Sequence, residues 1–223
     1  MSFYATLRQS TLPDAQQLLT IPQLVDGLSG RISKDTYVAY LTEAYHHVKH
    51  TASLMAAAKT RLGPQHEEFR KALDEYIAEE TGHEQWILDD IRACGADSIA
   101  ARDAGPRLAT EVMVAFAYDY INRINPMGFF GMVYVLESTS VLLASRGAGA
   151  VQKSLGLPPA AFRYLTSHGS LDQEHMQFFE NLMEKVTREE DRAAIVHVAK
   201  AMFTLFGNVF RSIPHQTEAA NAA

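Results

Sequence analysis

Residues 127–144 read MGFFGMVYVLESTSVLLA, the most apolar run of the chain. A membrane-spanning helix wants about 20 predominantly apolar residues. This run is interrupted by Gly131, Glu137, Ser138, Thr139 and Ser140, and it reads as a helix buried in protein. Its carboxylate is the informative residue. A buried Glu137 pays a desolvation penalty of several kcal/mol unless it is paired, protonated or bound to a cation. A basic partner such as Arg123 or Arg146, a hydroxyl bonded to a protonated carboxyl, or a metal ion would each satisfy it.

Working outward, helical periodicity dominates and turn signals separate long segments, so the chain is expected to be all-α. A first helix is expected over Leu12 to Leu28, broken near Pro22 and closed by Gly27 to Gly30. A second runs from Ser33 or Lys34 to Leu62, where Gly63 and Pro64 end it. A third spans Gln65 to Ala93 and stops at Gly95. After a polar connection, Arg107 to Asn122 forms a fourth helix and Pro126 to Val151 the buried one. Ala160 to Val186 and Glu189 to Phe210 complete the set, the last opening on Glu189, Glu190 and Asp191, which suit the positive end of the helix dipole. Residues 1–212 are expected to form one domain and 213–223 a flexible tail.

The 223 residues suffice for one large core. Hydrophobic content of 47% with 21% charged residues reads as a soluble globular chain. A net charge of −6 leaves no basic stripe for phosphates, so no nucleic-acid partner is expected, and no membrane. The start, MSFYATLRQS, has no secretion signal, which points to the cytoplasm. A lone Cys94 excludes an intrachain disulfide and leaves thiolate metal sites short of ligands.

Histidine and carboxylate must then carry any metal, and four helices offer them. In HGSLDQEH, offsets of four and three put His168, Asp172 and His175 on one helical face; a solvated polar face is the alternative. Glu80 and His83 stand in the Glu-x-x-His relation that bundles use for dinuclear centres, although acidic runs more often face solvent. Glu137 is the third contribution. Glu43 opens a cluster with His46, His47 and His50; Glu43 is preferred as the ligand and the histidines as substrate contacts or as supports for the ligands, with Tyr134 and Arg146 weaker candidates of the same kind. Met113, Phe116, Tyr120, Phe129, Phe130, Met132 and Tyr134 are further candidates to line an apolar pocket, although aromatic and methionine residues at helical spacing are more often plain core. The set Glu43, Glu80, His83, Glu137, His168, Asp172 and His175 holds four carboxylates, which balance two divalent cations.

The order Glu80, His83, then Glu137, then His168-x3-Asp172-x2-His175 resembles the haem-oxygenase-like di-iron oxidases and oxygenases, over about residues 12 to 212. The resemblance implies a helical bundle of about seven helices, usually a homodimer. It also implies two Fe(II) ions, with manganese or a mixed pair as alternatives, O2 as co-substrate, and oxidation of a small molecule such as an amine, amino acid or fatty acid. The wider superfamily includes thiaminase-II-type enzymes and pyrroloquinoline-quinone synthase, so a metal-free enzyme or small-molecule binder of the same fold is the competing expectation. Thiaminase-II-type chemistry needs a nucleophilic cysteine, and Cys94 sits in an end-of-helix context unsuited to it.

Overall fold

A computed structural model describes residues 2–215 of the chain, and the side chains there apart from those of 145 and 169–174. The described residues form helices and no strand. In order these are α1 (Phe3–Leu18), α2 (Pro22–Leu28), α3 (Lys34–Val48), α4 (Thr51–Arg61), α5 (Glu67–Glu80), α6 (His83–Ala93), α7 (Ser98–Asp103), α8 (Leu108–Asp119), α9 (Phe129–Leu155), α10 (Arg163–Met183) and α11 (Glu189–Ser212). The expectation of about seven helices is therefore corrected to eleven α-helices among the described residues. The all-α class holds.

The extra helices come mostly from breaks inside long periodic segments, where hydrophobic spacing survives a change of direction. The segment from Lys34 to Arg61 breaks at Lys49 and His50. The segment from Glu67 to Ala93 breaks at Thr81 and Gly82. Gly82 has φ of 96°, a left-handed conformation that glycine adopts without penalty. The first helix starts at Phe3 rather than Leu12, its N-terminus capped by the Ser2 hydroxyl, which accepts from the Ala5 N–H.

The helix containing residues 127–144 is central, as its composition requires. α9 packs on both α10 and α11. Its approach to α11 is very close at Gly131, where an added Cβ would lie 2.4 Å from the Ile195 carbonyl oxygen and 2.7 Å from the Ala199 nitrogen. Two helical windows are long and apolar enough to cross a membrane, Pro126–Ala144 and Glu189–Ser212, yet 67% and 56% of them is buried inside the bundle. Their hydropathy is accounted for by the core they build.

Two buried clusters divide that core. One joins α1, α4, α5, α8, α11 and the first half of α9; the other joins α3, α6 and the second half of α9. The chain closes over their junction with Ile213, Pro214 and His215. Ile213 is buried, the Pro214 carbonyl accepts from Thr36 Oγ1, and His215 Nε2 lies 2.8 Å from Asp26 Oδ2. Residues 213–215, expected as part of the tail, are thus held against the bundle; residues 216–223 lie outside those described.

Candidate metal centre

Glu80 ends α5 and His83 begins α6, so the turn at Gly82 folds one onto the other and puts His83 Nδ1 3.0 Å from Glu80 Oε2. His168, from α10, reaches the same carboxylate, its Nε2 3.6 Å from Glu80 Oε2. One ligand atom from each of Glu80, His83 and His168 lies within 4.8 Å of the others. Three groups brought together by two separate parts of the chain form a cluster of the kind that binds a cation.

The hydrogen bonds around it set the donor atoms. His168 Nδ1 lies 3.0 Å from the Tyr164 carbonyl and donates its proton there. That fixes Nε2 as the nitrogen facing Glu80, the arrangement metal-bound histidines use, in which the distal nitrogen donates to a carbonyl. Trp86 stacks on His83, with ring centroids 3.9 Å apart, and the Arg163 guanidinium lies 4.7 Å above the indole. Trp86 is therefore a wall of the cluster rather than plain core. Burial alone would raise the Glu80 carboxyl, but its hydrogen bonds to His168 and His83 outweigh burial and draw it down to about 2.

Helices α6 and α10 are held in register by Asp90. Its two oxygens accept from the Arg163 and Tyr164 N–H groups at 3.1 and 2.9 Å, capping α10 from another helix. Burial pushes this carboxyl up to about 6 despite those bonds. Nothing in the local sequence marks Asp90, because the N-terminus it caps is distant along the chain.

A second group sits beside the first. Glu137 Oε1 lies 3.6 Å from His175 Nδ1, and the other nitrogen of that ring, Nε2, lies 2.8 Å from Glu79 Oε2. Glu137 therefore faces a histidine and not Arg123, which pairs with Asp119 on the surface, or Arg146, which is exposed. Glu79 stands at the rim, more than half exposed, where sequence spacing places it only as a neighbour of Glu80. The Asp172 side chain lies outside those described.

Other expected site residues are placed elsewhere. Glu43 is buried, but its carboxylate accepts from the Arg107 N–H and from the Thr110 hydroxyl, so it caps α8 and does not join the cluster. The expected cluster on α3 is divided: Glu43 meets the start of α8, His50 lies beyond the end of α3, and His47 turns to the cavity. His46 Nδ1 is 3.0 Å from Lys49 Nζ, and His50 lies edge-on to Tyr118. Of these three histidines only His47 lines the central cavity, edge-on to Phe206, where burial first, then the nearby His168 and His50, lower its imidazole to about 4. Tyr134 packs in the core between Tyr4, Phe179 and Phe203, and neither it nor Arg146 lines the cavity. Cys94 is buried, and burial raises its thiol to about 11, which leaves it unreactive.

The cavity has a volume of about 200 Å³ and opens directly onto Glu80, Glu137 and His168. Of the apolar candidates Phe129 and Met132 are part of its wall, as are Leu28, Leu143 and Gly147, whereas Met113, Phe116, Tyr120 and Phe130 belong to the surrounding core packing and do not line it. It lies at the junction of the two core clusters, with residues from both in its lining. The arrangement is a set of largely buried nitrogen and oxygen donors at one end of an apolar chamber.

A family model described as iron-containing redox enzyme matches residues 38–207, a span that takes in every residue of both groups. The chain belongs to this family. Among solved structures, a domain of unknown function with a haem-oxygenase-like fold from Shewanella denitrificans superposes with a TM-score of 0.86 at 23% identity, covering 96% of this chain and 92% of that one. A TenA homologue from Pseudomonas syringae gives 0.78 at 12% identity, with 94% and 91% covered. Haem oxygenase-1 from Synechocystis, in complex with haem, gives 0.73 at 13% identity, with 95% and 91% covered. The family member described here thus has the haem-oxygenase-like fold. Comparison with the curated proteins finds no match.

Proposed function

We propose that this member of the iron-containing redox enzymes holds two iron ions and uses them to activate O2 for oxidation of a small organic substrate. The observation that carries the reading is the convergence of Glu80, His83 and His168 beside the Glu137–His175 pair. In this reading Glu80, His83 and His168 hold one ion, and Glu137 and His175, with Asp172, hold the other. Nitrogen and carboxylate donors without thiolate suit iron or manganese. Iron bound there supplies the electron-transfer chemistry toward O2 that amino-acid side chains lack.

The residues of the chain have identifiable work in that scheme. Glu80 stays ionised and so remains a charged ligand. The Tyr164 carbonyl keeps the His168 proton on Nδ1, away from the ion. Trp86 and Arg163 close the side of the cluster and keep water from His83. The apolar wall along α9 excludes water from the remainder of the chamber.

A metal-free activity of the thiaminase-II type is the weaker reading, because the single cysteine is buried and unreactive. Anaerobic loading with Fe(II) followed by gel filtration tests the proposal. About two irons per chain are expected for the wild type, and His83→Ala should retain at most one. Mixing the loaded protein with O2 should then produce a transient absorbance change. Wild-type protein that takes up no iron under these conditions would refute the reading.

A further inference from the structure

We propose that the substrate is a slender aliphatic molecule of medium length whose single polar head faces Glu80, Glu137 and His168 and whose chain fills the cavity toward Leu28 and Gly147. This rests on the metal-centre reading above and narrows it to one substrate class.

Three observations lead there. The first is shape. Lining positions on α9 recur every three or four residues through Leu136, Ser140, Leu143, Gly147 and Val151, so one face of the helix forms the floor of the chamber. Glu137 and Gly147 are separated by about 15 Å along the helix at its usual rise. A chamber this long with a volume of only about 200 Å³ is narrow. An apolar void of about 150 Å³ takes one benzene ring, so this one accommodates about eight non-hydrogen atoms, arranged in line.

The second is polarity. The wall is rich in Leu, Ile, Val, Met and Phe, and its polar members such as Gln23, Thr36, Thr51 and Ser140 are uncharged. The charged groups of the lining, Glu80 and Glu137, stand with His168 at one end, so a ligand with one metal-binding end has one orientation. The third is charge. None of the described lining residues is lysine or arginine. An anionic head therefore has no side-chain cation to pair with, and next to Glu80 and Glu137 it is held only if it ligates the metal ions.

Gly147 gives the test a clean handle. An added Cβ there meets nothing nearer than Leu28 Cδ2, at 3.8 Å, an ordinary contact. Leucine at this helical position raises helix propensity and fills the far part of the chamber.

The experiment measures binding of straight-chain primary alcohols, butanol to dodecanol, to the metal-free full chain by calorimetry. Affinity should rise about fourfold per added methylene and level off near eight carbons. Gly147→Leu should move that limit down by about three carbons, and Leu28→Ala should move it up. On anaerobic Fe(II)-loaded protein, the carboxylates of the same chain lengths should bind at least tenfold tighter than on metal-free protein. Affinity independent of chain length, a limit unmoved by both variants, or carboxylate binding indifferent to iron would overturn the proposal. Iron stoichiometry on the same samples separates the two failures. Protein that binds iron but shows no chain-length dependence overturns the substrate class alone; protein that takes up no iron overturns the metal-centre reading and, with it, the placement of the head.

Discussion

Glu43 is a buried acid and Glu80 a largely buried one, both on helices of the bundle, and their partners divide their roles. Glu80 shares its carboxylate with two imidazoles, whereas Glu43 gives both oxygens to the N-terminus of α8. Glu43→Ala should therefore leave iron stoichiometry unchanged while lowering stability by about 3 kcal/mol, the scale for losing charge-assisted bonds in a buried setting. Chemical denaturation and metal analysis of one preparation check both halves; loss of iron would return Glu43 to the ligand set. Gly82 makes the opposite case, a residue without a side chain on which a ligand depends. Nothing lies within 4 Å of its added Cβ, so Gly82→Ala meets only the backbone strain of φ at 96°. That strain is about 1–2 kcal/mol, and its relief shifts His83 away from Glu80. Iron titration should show a weakened site in a protein that still folds.

At the scale of elements, two joints hold the ligand-bearing helices. One is the α5–α6 turn, and the other is the cap that Asp90 of α6 places on α10. The second has a pH signature. The Asp90 carboxyl lies at about 6 in the folded chain against an ordinary value of 3.8. Between those values the folded state binds more protons than the unfolded state, so stability falls as pH rises through the window and levels off above it. The full loss is about 3 kcal/mol for a displacement of this size. Asp90→Asn keeps one acceptor and has no such titration. Melting temperatures from pH 4 to 7 should fall for the wild type relative to the variant, and parallel curves would show that Asp90 is already ionised at pH 4. The candidate cluster is partly legible in sequence: His168 and His175 share one helix, where offsets fix a face, whereas Glu80 and His83 are close in number but meet through the turn at Gly82 and not through helical spacing. What a face meets is not a local property. Glu43 meets the start of α8, Asp90 caps a helix starting more than seventy residues later, and a break such as Thr81–Gly82 changes direction without disturbing hydrophobic period.

For the whole molecule, the all-α class and the central place of residues 127–144 follow from composition, since an apolar run that length has to be surrounded. The division of the core into two clusters does not follow from it, and that division creates the chamber. Helix α9 belongs to both clusters, and Gly131 seats it against α11 without a side chain between them. Glu137 is thereby carried to the junction, where burial that would otherwise be a liability sets a carboxylate beside His175.

The meeting of Glu80 with His168 also fixes when the proposed centre can be assembled during biosynthesis. More than a third of the chain separates these two residues, and no local segment contains Glu80, His83 and His168 together. As the polypeptide leaves the ribosome, α5 and the start of α6 present only two of the three groups until α10 has been made and docked through Asp90. A centre with this connectivity is a late event in folding, closed by a long loop. In the proposed reading an ion can then be held by all three groups only in the finished bundle, so assembly of the fold precedes assembly of the centre.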